Sequence, residues 1–551
     1  MLVDTQKESP GILPQVDVCI IGSGPAGLTI ARELSRSGQR VCILESGGQK
    51  LETDAQDLNK GMVDSPQGYR EQTLREGRRR QFGGSAHLWN HELRGESTQH
   101  IRYVSFDEID FEHRDWIPES GWPFDRSALL PFYEHAQEIC GIGSFEVLKQ
   151  TALAETNHLQ PWTTERLESA ISQFGSSDIF LDTYRQELSK DTQVTIILHA
   201  VLLEFEMDSL SRTITGAQVA GANGKNFTVQ AKRFILAAGG LENARILLLQ
   251  EKLQPGGLGN QNDMVGRCYM DHPSLTLGTL TPHSTNTFAK AAFYDQHNVA
   301  GHSIMGKLHI RPEIMRREKM LNICAVLVPH FKNLRSNIPD VLRQLFTKGP
   351  RFIWQHFGGK QTENYSAPAN GEAHQSMRQR LLQGYYGECF CGWSRLNALE
   401  NRFNEFGVRS LVEQSPDRSN RIVLQEERDG YNQRKTKVIW RWNEVDLRSI
   451  RRAQEIFAEE LASFGRFTPV PENTGPQPRL FYSPHHFMGT TRMHTDPKNG
   501  VVNADGRVHD VSNLYVAGSS VFPTSGFANP TFTMIALALR LAKHLQTESA
   551  S

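Results

Sequence analysis

Apolar residues run through this chain in two patterns. Val16 to Ile21 (VDVCII) is a near-continuous β-favouring run, as expected of a strand buried on both faces of a parallel sheet. Arg40 to Leu44, Val194 to Leu203 (VTIILHAVLL), Phe234 to Ala238 (FILAA) and Leu514 to Ala517 read as further strands, and Ile422 to Leu424 and Val438 to Trp442 as others. Helical spacing appears in Leu28, Ala31 and Leu34, from near Glu242, and in Ile450, Ile456, Leu461 and Phe464 within 446–464. A last helix places Phe532, Ile535, Leu539 and Ala542 on one face and Met534, Leu537 and Leu541 on the other, so burial almost all round is expected. Asn529 is its expected N-cap and Pro530 its first residue, with Arg540, Lys543 and His544 at its far end. The arm through Pro14 and the tail after Gln546 are expected to be mobile. No internal repeat or low-complexity linker is visible.

Glycines punctuate this pattern where chemistry is expected. The first strand runs into Gly22-Ser-Gly24-Pro-Ala-Gly27, a helix follows, Gly38 stands at its stop, and the second strand ends on Glu45. In such a βαβ unit Gly22 makes the tight turn, Gly24 admits a pyrophosphate to the backbone N–H groups, and Gly27 lets helix pack on strand. Glu45 would accept hydrogen bonds from ribose hydroxyls and disfavour a 2′-phosphate; the motif alone leaves NAD and FAD open. A strand leading into Gly239-Gly240 and a helix repeats this logic, as a second pass through the same domain.

Length and charge narrow the class. The 551 residues provide for two to four domains, and 60 Lys plus Arg against 61 Asp plus Glu give no field that would favour nucleic acid or an anionic membrane. No apolar run approaches a membrane span and residues 1–14 lack the order of a secretion signal, so a cytoplasmic location is expected. Seven scattered cysteines fit reduced thiols, and the Cys389–Cys391 pair lacks a second cluster for a metal, so no metal site is expected.

Two further stretches carry candidate chemistry. Gln81 to Asn90 (QFGGSAHLWN), just after the basic cluster Arg78-Arg79-Arg80, makes a plausible loop over a flat cofactor. Near the C-terminus His486 stands three residues before Gly489-Thr490, Gly518 ends a strand where backbone can approach a ligand, and Asn529-Pro530-Thr531 opens the buried helix. The unpaired N–H groups of that helix start suit negative charge. A reduced flavin, charged around N1 and O2, would fit there.

Taken together, GSGPAG with Glu45, GGSAHLW, FILAAGGLENARILL, VGRCYMDHP, EQSPDRSNRIVL, HFMGTTRM and NLYVAGSSVFPTSGFANPT resemble the glucose-methanol-choline (GMC) flavoprotein oxidoreductases along nearly the whole chain, nearest to pyranose oxidases and bacterial glycoside dehydrogenases. The resemblance implies an α/β fold with a Rossmann-like FAD-binding domain built from discontinuous segments (14–100, 180–275 and 485–546). It also implies a substrate domain with a large β-sheet (101–179 and 276–484). It implies FAD, held by Gly22, Gly24, Gly27, Glu45, Gly83, Gly84, Ser85, Trp89, Val201, Ala238, Gly518, Ser519, Asn529, Pro530 and Thr531. The catalytic pair carries over onto His486, favoured over His485 by its spacing, and onto Asn529, where several members have a second histidine. Members that bond FAD covalently use a histidine in the paired-glycine loop; here Leu88 takes that position and His87 lies one residue off, so a non-covalent flavin is expected.

The implied reaction is oxidation of a CH-OH group of a sugar, glycoside or aminosugar, with His486 as base and hydride passing to flavin N5. A flavin-dependent lyase or photoenzyme of the same fold, or a non-catalytic flavin-binding subunit, are the competing readings. The electron acceptor, whether oxygen, a quinone or a redox partner, is left open by the motifs. Aromatics between Tyr365 and Trp393 could stack on sugar rings or simply fill a core.

Overall fold

A computed structural model describes residues 1–8, 15–65, 72–89, 91–92, 99–155, 161–331, 392–475, 478, 480–482 and 485–550, apart from 209, 211, 223 and 397. Most of the aromatic stretch ahead of Trp393 and both Cys389 and Cys391 lie outside these residues.

The near-continuous apolar runs become a six-stranded parallel sheet. Its order is Leu2–Asp4, Val194–Leu198, Val41–Leu44, Val16–Ile21, Ala231–Leu236 and Leu514–Val516. Val18, Cys19 and Ile20 are wholly buried, as are Phe234, Ile235 and Leu236 beside them. The outermost strand, Leu2–Asp4, belongs to the arm expected to be mobile: its backbone pairs with Ile196 to Leu198, and Thr5 donates to the His199 carbonyl. The run VTIILHAVLL is two strands rather than one. His199 takes a left-handed backbone (φ 53°), so Val194–Leu198 stays in the parallel sheet while Ala200–Asp208 turns into a three-stranded antiparallel sheet.

A second large sheet is antiparallel. Among the described residues it has ten strands, with Gln99–Tyr103, Leu167–Ser176, His302–Ile310, Ile323–Phe331, Phe403–Val412 and Ser274–Pro282 side by side. One face carries the paired Arg102 and Phe174, with Met305 opposite Ser172 and Lys307 opposite Ala170. Phe174, Met305, Val326 and Val328 form a small apolar cluster apart from the main core. The strand read at 422–424 extends over Arg421–Arg428, while the one read at 438–442 starts earlier and stops short, at Arg434–Ile439, and both join Gly61–Asp64 in a separate three-stranded sheet.

The C-terminal helix spans Thr531–Ala550 and is buried on all sides as far as Leu539. It begins one residue later than expected, the Met534 N–H bonding the Pro530 carbonyl. It also runs past Gln546. Arg540, Lys543 and His544 therefore sit inside the helix, where Arg540 bonds the Ala504 carbonyl and Asp505 and His544 pairs with Glu548. Among the described residues no helix is long and apolar enough to cross a membrane. The five described cysteines are buried and outside any disulfide.

Candidate active site

The C-terminal ends of the parallel strands open on a cleft enclosing about 1010 Å³, part of it open to solvent. This is the edge of a parallel sheet where ligands bind. The turns after Ile21, Leu44, Leu236 and Val516 supply Gly22 to Gly24, Glu45, Ala237 to Gly240 and Gly518 to its lining. A Cβ on Gly22, which sits at φ 108°, would lie 2.6 Å from the Ala237 oxygen; one on Gly27 would collide with the Gly22 carbonyl. Gly24, Gly239 and Gly518 differ: a Cβ there would meet open space, filling the cradle instead of striking protein.

Three helix starts converge on this cradle, at Pro25, Glu242 and Thr531. Each brings unpaired N–H groups suited to phosphate or to an anionic ring edge. Glu45 is buried: Oε2 accepts from the Ser23 N–H (3.1 Å) and hydroxyl (2.6 Å), and Oε1 from the Gly47 N–H (2.9 Å). Along the rim Arg78 and Arg80 pair with Glu242, which also meets Arg245. These arginines hold the Glu242 carboxyl well below its usual range against the opposing cost of burial.

Of the residues expected to hold a cofactor, Gly22, Gly24, Glu45, Gly84, Ser85, Trp89, Ala238, Gly518, Ser519, Pro530 and Thr531 line the cleft, as does His486. Gly27, Gly83, Val201 and Asn529 do not. Gly27 packs helix on strand, as its spacing predicts, and Val201 faces the antiparallel ladder opposite Ala220. The arginines at 78–80, Gly239, His485 and Met534 also line the cleft without having been assigned to it. The basic triplet and the second paired glycine are the signals that could have found them.

His486 is positioned by strand register. Met270 and Met488 form an antiparallel bridge, Met270 N bonding Met488 O at 3.1 Å and Met488 N bonding Met270 O at 3.0 Å. Two residues onward along one strand and two back along the other bring His272 opposite His486, with their Nδ1 atoms 3.0 Å apart. Asp271 Oδ1 accepts from both backbones, at 2.7 Å from His272 N and 2.9 Å from His486 N. Gly489, at φ 83°, fits against the Cys268 carbonyl where a Cβ could not, and the Thr490 hydroxyl donates to the Gly240 carbonyl. The His-x-x-Gly-Thr spacing therefore ties the histidine to the second glycine turn.

On its other side His486 Nε2 lies 3.4 Å from Asn529 Nδ2, a long contact. Burial holds the His486 imidazole well below its usual range, assisted by the His272 and His485 rings and by Lys307 and Arg102. The ring is neutral near neutral pH and can take a proton. Asn529 Oδ1 is buried with no hydrogen-bond partner, an acceptor awaiting a donor from a ligand. The antiparallel sheet closes over this corner: Lys307 Nζ stands 5.5 Å from the Phe527 ring centre and the His309 ring 4.8 Å from it. The cradle and the orphaned acceptor fit a dinucleotide carrying a flat redox ring: the Gly22–Gly24 turn would hold the diphosphate of FAD, and FAD would supply a hydride acceptor.

Residues 416–538 match the profile of the GMC oxidoreductase family, and residues 17–256 that of FAD-dependent oxidoreductases. The chain thus joins a GMC oxidoreductase C-terminal domain to an FAD-dependent oxidoreductase domain. It is 25% identical over 350 residues to the fructose dehydrogenase large subunit of Gluconobacter japonicus, covering 63% of this chain and about half (53%) of that protein. It is 23% identical to the 2-methyl-1,2-propanediol dehydrogenase of Mycolicibacterium austroafricanum over 96% of this chain and 95% of that one. The crystal structure of pyridoxine 4-oxidase from Mesorbium loti has the same fold, with a TM-score of 0.53 at 16% identity over 96% of this chain and 99% of that one. With these domains the protein is an FAD-dependent oxidoreductase.

Proposed function

We propose that this GMC enzyme oxidises a hydroxyl of a sugar, glycoside or aminosugar to the carbonyl, with His486 as base, Asn529 as the group that holds the substrate oxygen, and FAD bound non-covalently. The observation that carries the reading is the buried neutral imidazole of His486 facing Asn529 at the mouth of the glycine cradle. Bound FAD supplies a hydride acceptor at N5. In this reading the substrate hydroxyl gives its proton to His486 Nε2 as the carbon gives up its hydride, so the two losses together leave a carbonyl. The Asn529 amide, whose Nδ2 lies 3.4 Å from His486 Nε2, would donate to the oxygen and hold its carbon toward the ring. A sugar as substrate rests on the fructose-named relative, and a small diol, after the second relative, is the competing substrate class. Non-covalent attachment is supported by His87, whose Nε2 lies 2.9 Å from the Phe82 carbonyl and which is absent from the cleft lining. Oxygen, a quinone or a redox partner would take the electrons onward, and the enzyme would work in the cytoplasm.

The test is anaerobic stopped-flow absorbance near 450 nm with sugars, glycosides, aminosugars and small diols, followed by air. Bleaching by a sugar supports the reading, and fast recolouring in air marks an oxidase. Bleaching by a diol alone would replace the substrate class. No bleaching of a flavin that dithionite reduces would turn the reading toward a lyase or photoenzyme. His486→Ala should bind FAD yet slow the bleaching by roughly 10²- to 10⁴-fold; an unchanged rate would remove His486 from the chemistry.

A further inference from the structure

We infer that His272 is a positioning residue that holds His486 in the tautomer with its lone pair on Nε2. The inference rests on the reading of His486 as base. His272 is wholly buried, and its two ring nitrogens face partners of opposite kind. Nε2 lies 2.9 Å from the Ser525 carbonyl oxygen, which can only accept, so Nε2 carries the proton. Burial keeps the His272 imidazole below its usual range and neutral, which leaves Nδ1 as a bare acceptor. The His486 Nδ1 at 3.0 Å must then donate. A neutral His486 with its proton on Nδ1 has its lone pair on Nε2, facing the Asn529 amide that donates toward it. One sense of donation runs from Asn529 through both rings to Ser525.

The anchor of this chain is itself fixed. The Ser525 hydroxyl donates to the Gln414 carbonyl and accepts from the Gln414 N–H, both at 3.1 Å, so the carbonyl that His272 bonds is held in place. Asp271 fixes both histidine backbones through one oxygen. The rings meet edge to face, 84° apart. When His486 takes the substrate proton at Nε2, its Nδ1–H keeps its acceptor and the bond becomes charge-assisted. Without that acceptor, among the described residues only the long Asn529 contact opposes a proton on Nε2, and a ring protonated there cannot act as base. His272 touches neither the substrate gap nor the cofactor cleft; it acts through His486 alone.

The measurement is ¹⁵N NMR of the histidine-labelled, FAD-bound enzyme without substrate, the His486 signals being assigned by their loss in His486→Ala. The expected result is a proton on Nδ1 and a bare Nε2. His272→Leu should move the proton onto Nε2 or split it between the nitrogens. It should also slow bleaching by the most active panel compound, roughly 10- to 100-fold at full FAD occupancy. His272→Asn, whose Oδ1 can accept from His486 Nδ1–H, should restore the Nδ1 signal and most of the rate. A proton on Nε2 in the unmodified enzyme overturns the inference, and that reading requires no variant to fold. An unshifted tautomer in His272→Leu, or no recovery in His272→Asn with FAD bound, also overturns it. If His272→Leu behaves as unmodified enzyme while His486→Ala is slow, the positioning role alone falls; if His486→Ala is fast, the base assignment falls instead.

Discussion

The parallel sheet reaches the cleft largely through glycine turns, with Glu45 and the Glu242–arginine cluster beside them, whereas the antiparallel sheet buries charged side chains near His486. On the first side the central strands are mostly apolar, and recognition falls largely to turns where a Cβ would fill the cradle or strike a neighbour. On the second, Arg102, Lys307 and His309 sit buried within strands, and just past the end of the strand Phe403–Val412 Glu413 pairs with Arg114. Shape is therefore the material of the parallel sheet's turns, and buried charge that of the antiparallel strands. A dinucleotide presents much the same backbone-facing surface in every protein that holds it, so glycines suffice. A small substrate must be told apart by polar groups, which must be buried and so must be paired.

The sharpest way to break this contrast is to remove one partner of the buried pair at the end of the antiparallel sheet. Arg114 donates to both oxygens of Glu413, at 2.8 and 2.5 Å, both side chains are wholly buried, and Glu413 also accepts from the Asn322 N–H. Arg114→Met leaves that carboxylate without its cation and should cost about 3 to 5 kcal/mol in urea unfolding. Replacing Glu413 by Met in the same chain should recover most of the loss. A single variant as stable as the unmodified protein would show that charge pairing is not what holds this side.

On the parallel side the matching change is smaller. Gly27→Ala puts a Cβ into the Gly22 carbonyl and pushes the first turn away from its helix. A cost of about 1 to 3 kcal/mol is expected, with weaker FAD retention after gel filtration. If Gly27→Ala cost more than Arg114→Met, shape rather than charge would dominate both sides.

What the sequence discloses follows the same division. The parallel strands and their turns are legible because run, glycine and helix lie within about thirty residues of one another, and each has a local reason. The antiparallel strands are not. His302–Ile310 (HSIMGKLHI) buries Lys307 and His309, so it shows neither clean alternation nor an apolar run. His199 hides a change of sheet inside one apolar stretch, because a left-handed backbone at a non-glycine residue leaves little trace in composition. The expected dipole role of Arg540 gives way to Ala504 and Asp505, 36 and 35 residues away. His272 and His486 stand 214 residues apart, and the Met270–Met488 register and Asp271 join them. His486 and Asn529 carry a family spacing, and their neighbour His272, inside an equally familiar motif, carries no sign of whom it faces.

The last expected effect is one of pH, and it lies where the two sides meet, at Asp110. Its Oδ1 accepts from the Asn322 amide and its Oδ2 from the Asp107 N–H, while its carbonyl accepts from Thr524. Gly526, at φ 55°, leaves room for the carboxyl directly beneath the turn that carries Ser525 and Phe527. Burial, with Asp107 and Glu413 adding repulsion and Arg114 opposing it, pushes this carboxyl up to about 8. The unfolded chain loses that proton near pH 4. Between those limits the native state binds the extra proton, so stability falls as pH rises through the window and levels off above about 8. Asp110→Asn keeps the shape without the titration. Its stability relative to the unmodified protein should therefore rise from about pH 5 to pH 8 and then stay flat, as read from urea unfolding at three pH values. A difference constant across that range would mean that Asp110 is ionised in the fold, and that the substrate side tolerates an uncompensated carboxylate beneath its own active-site turn.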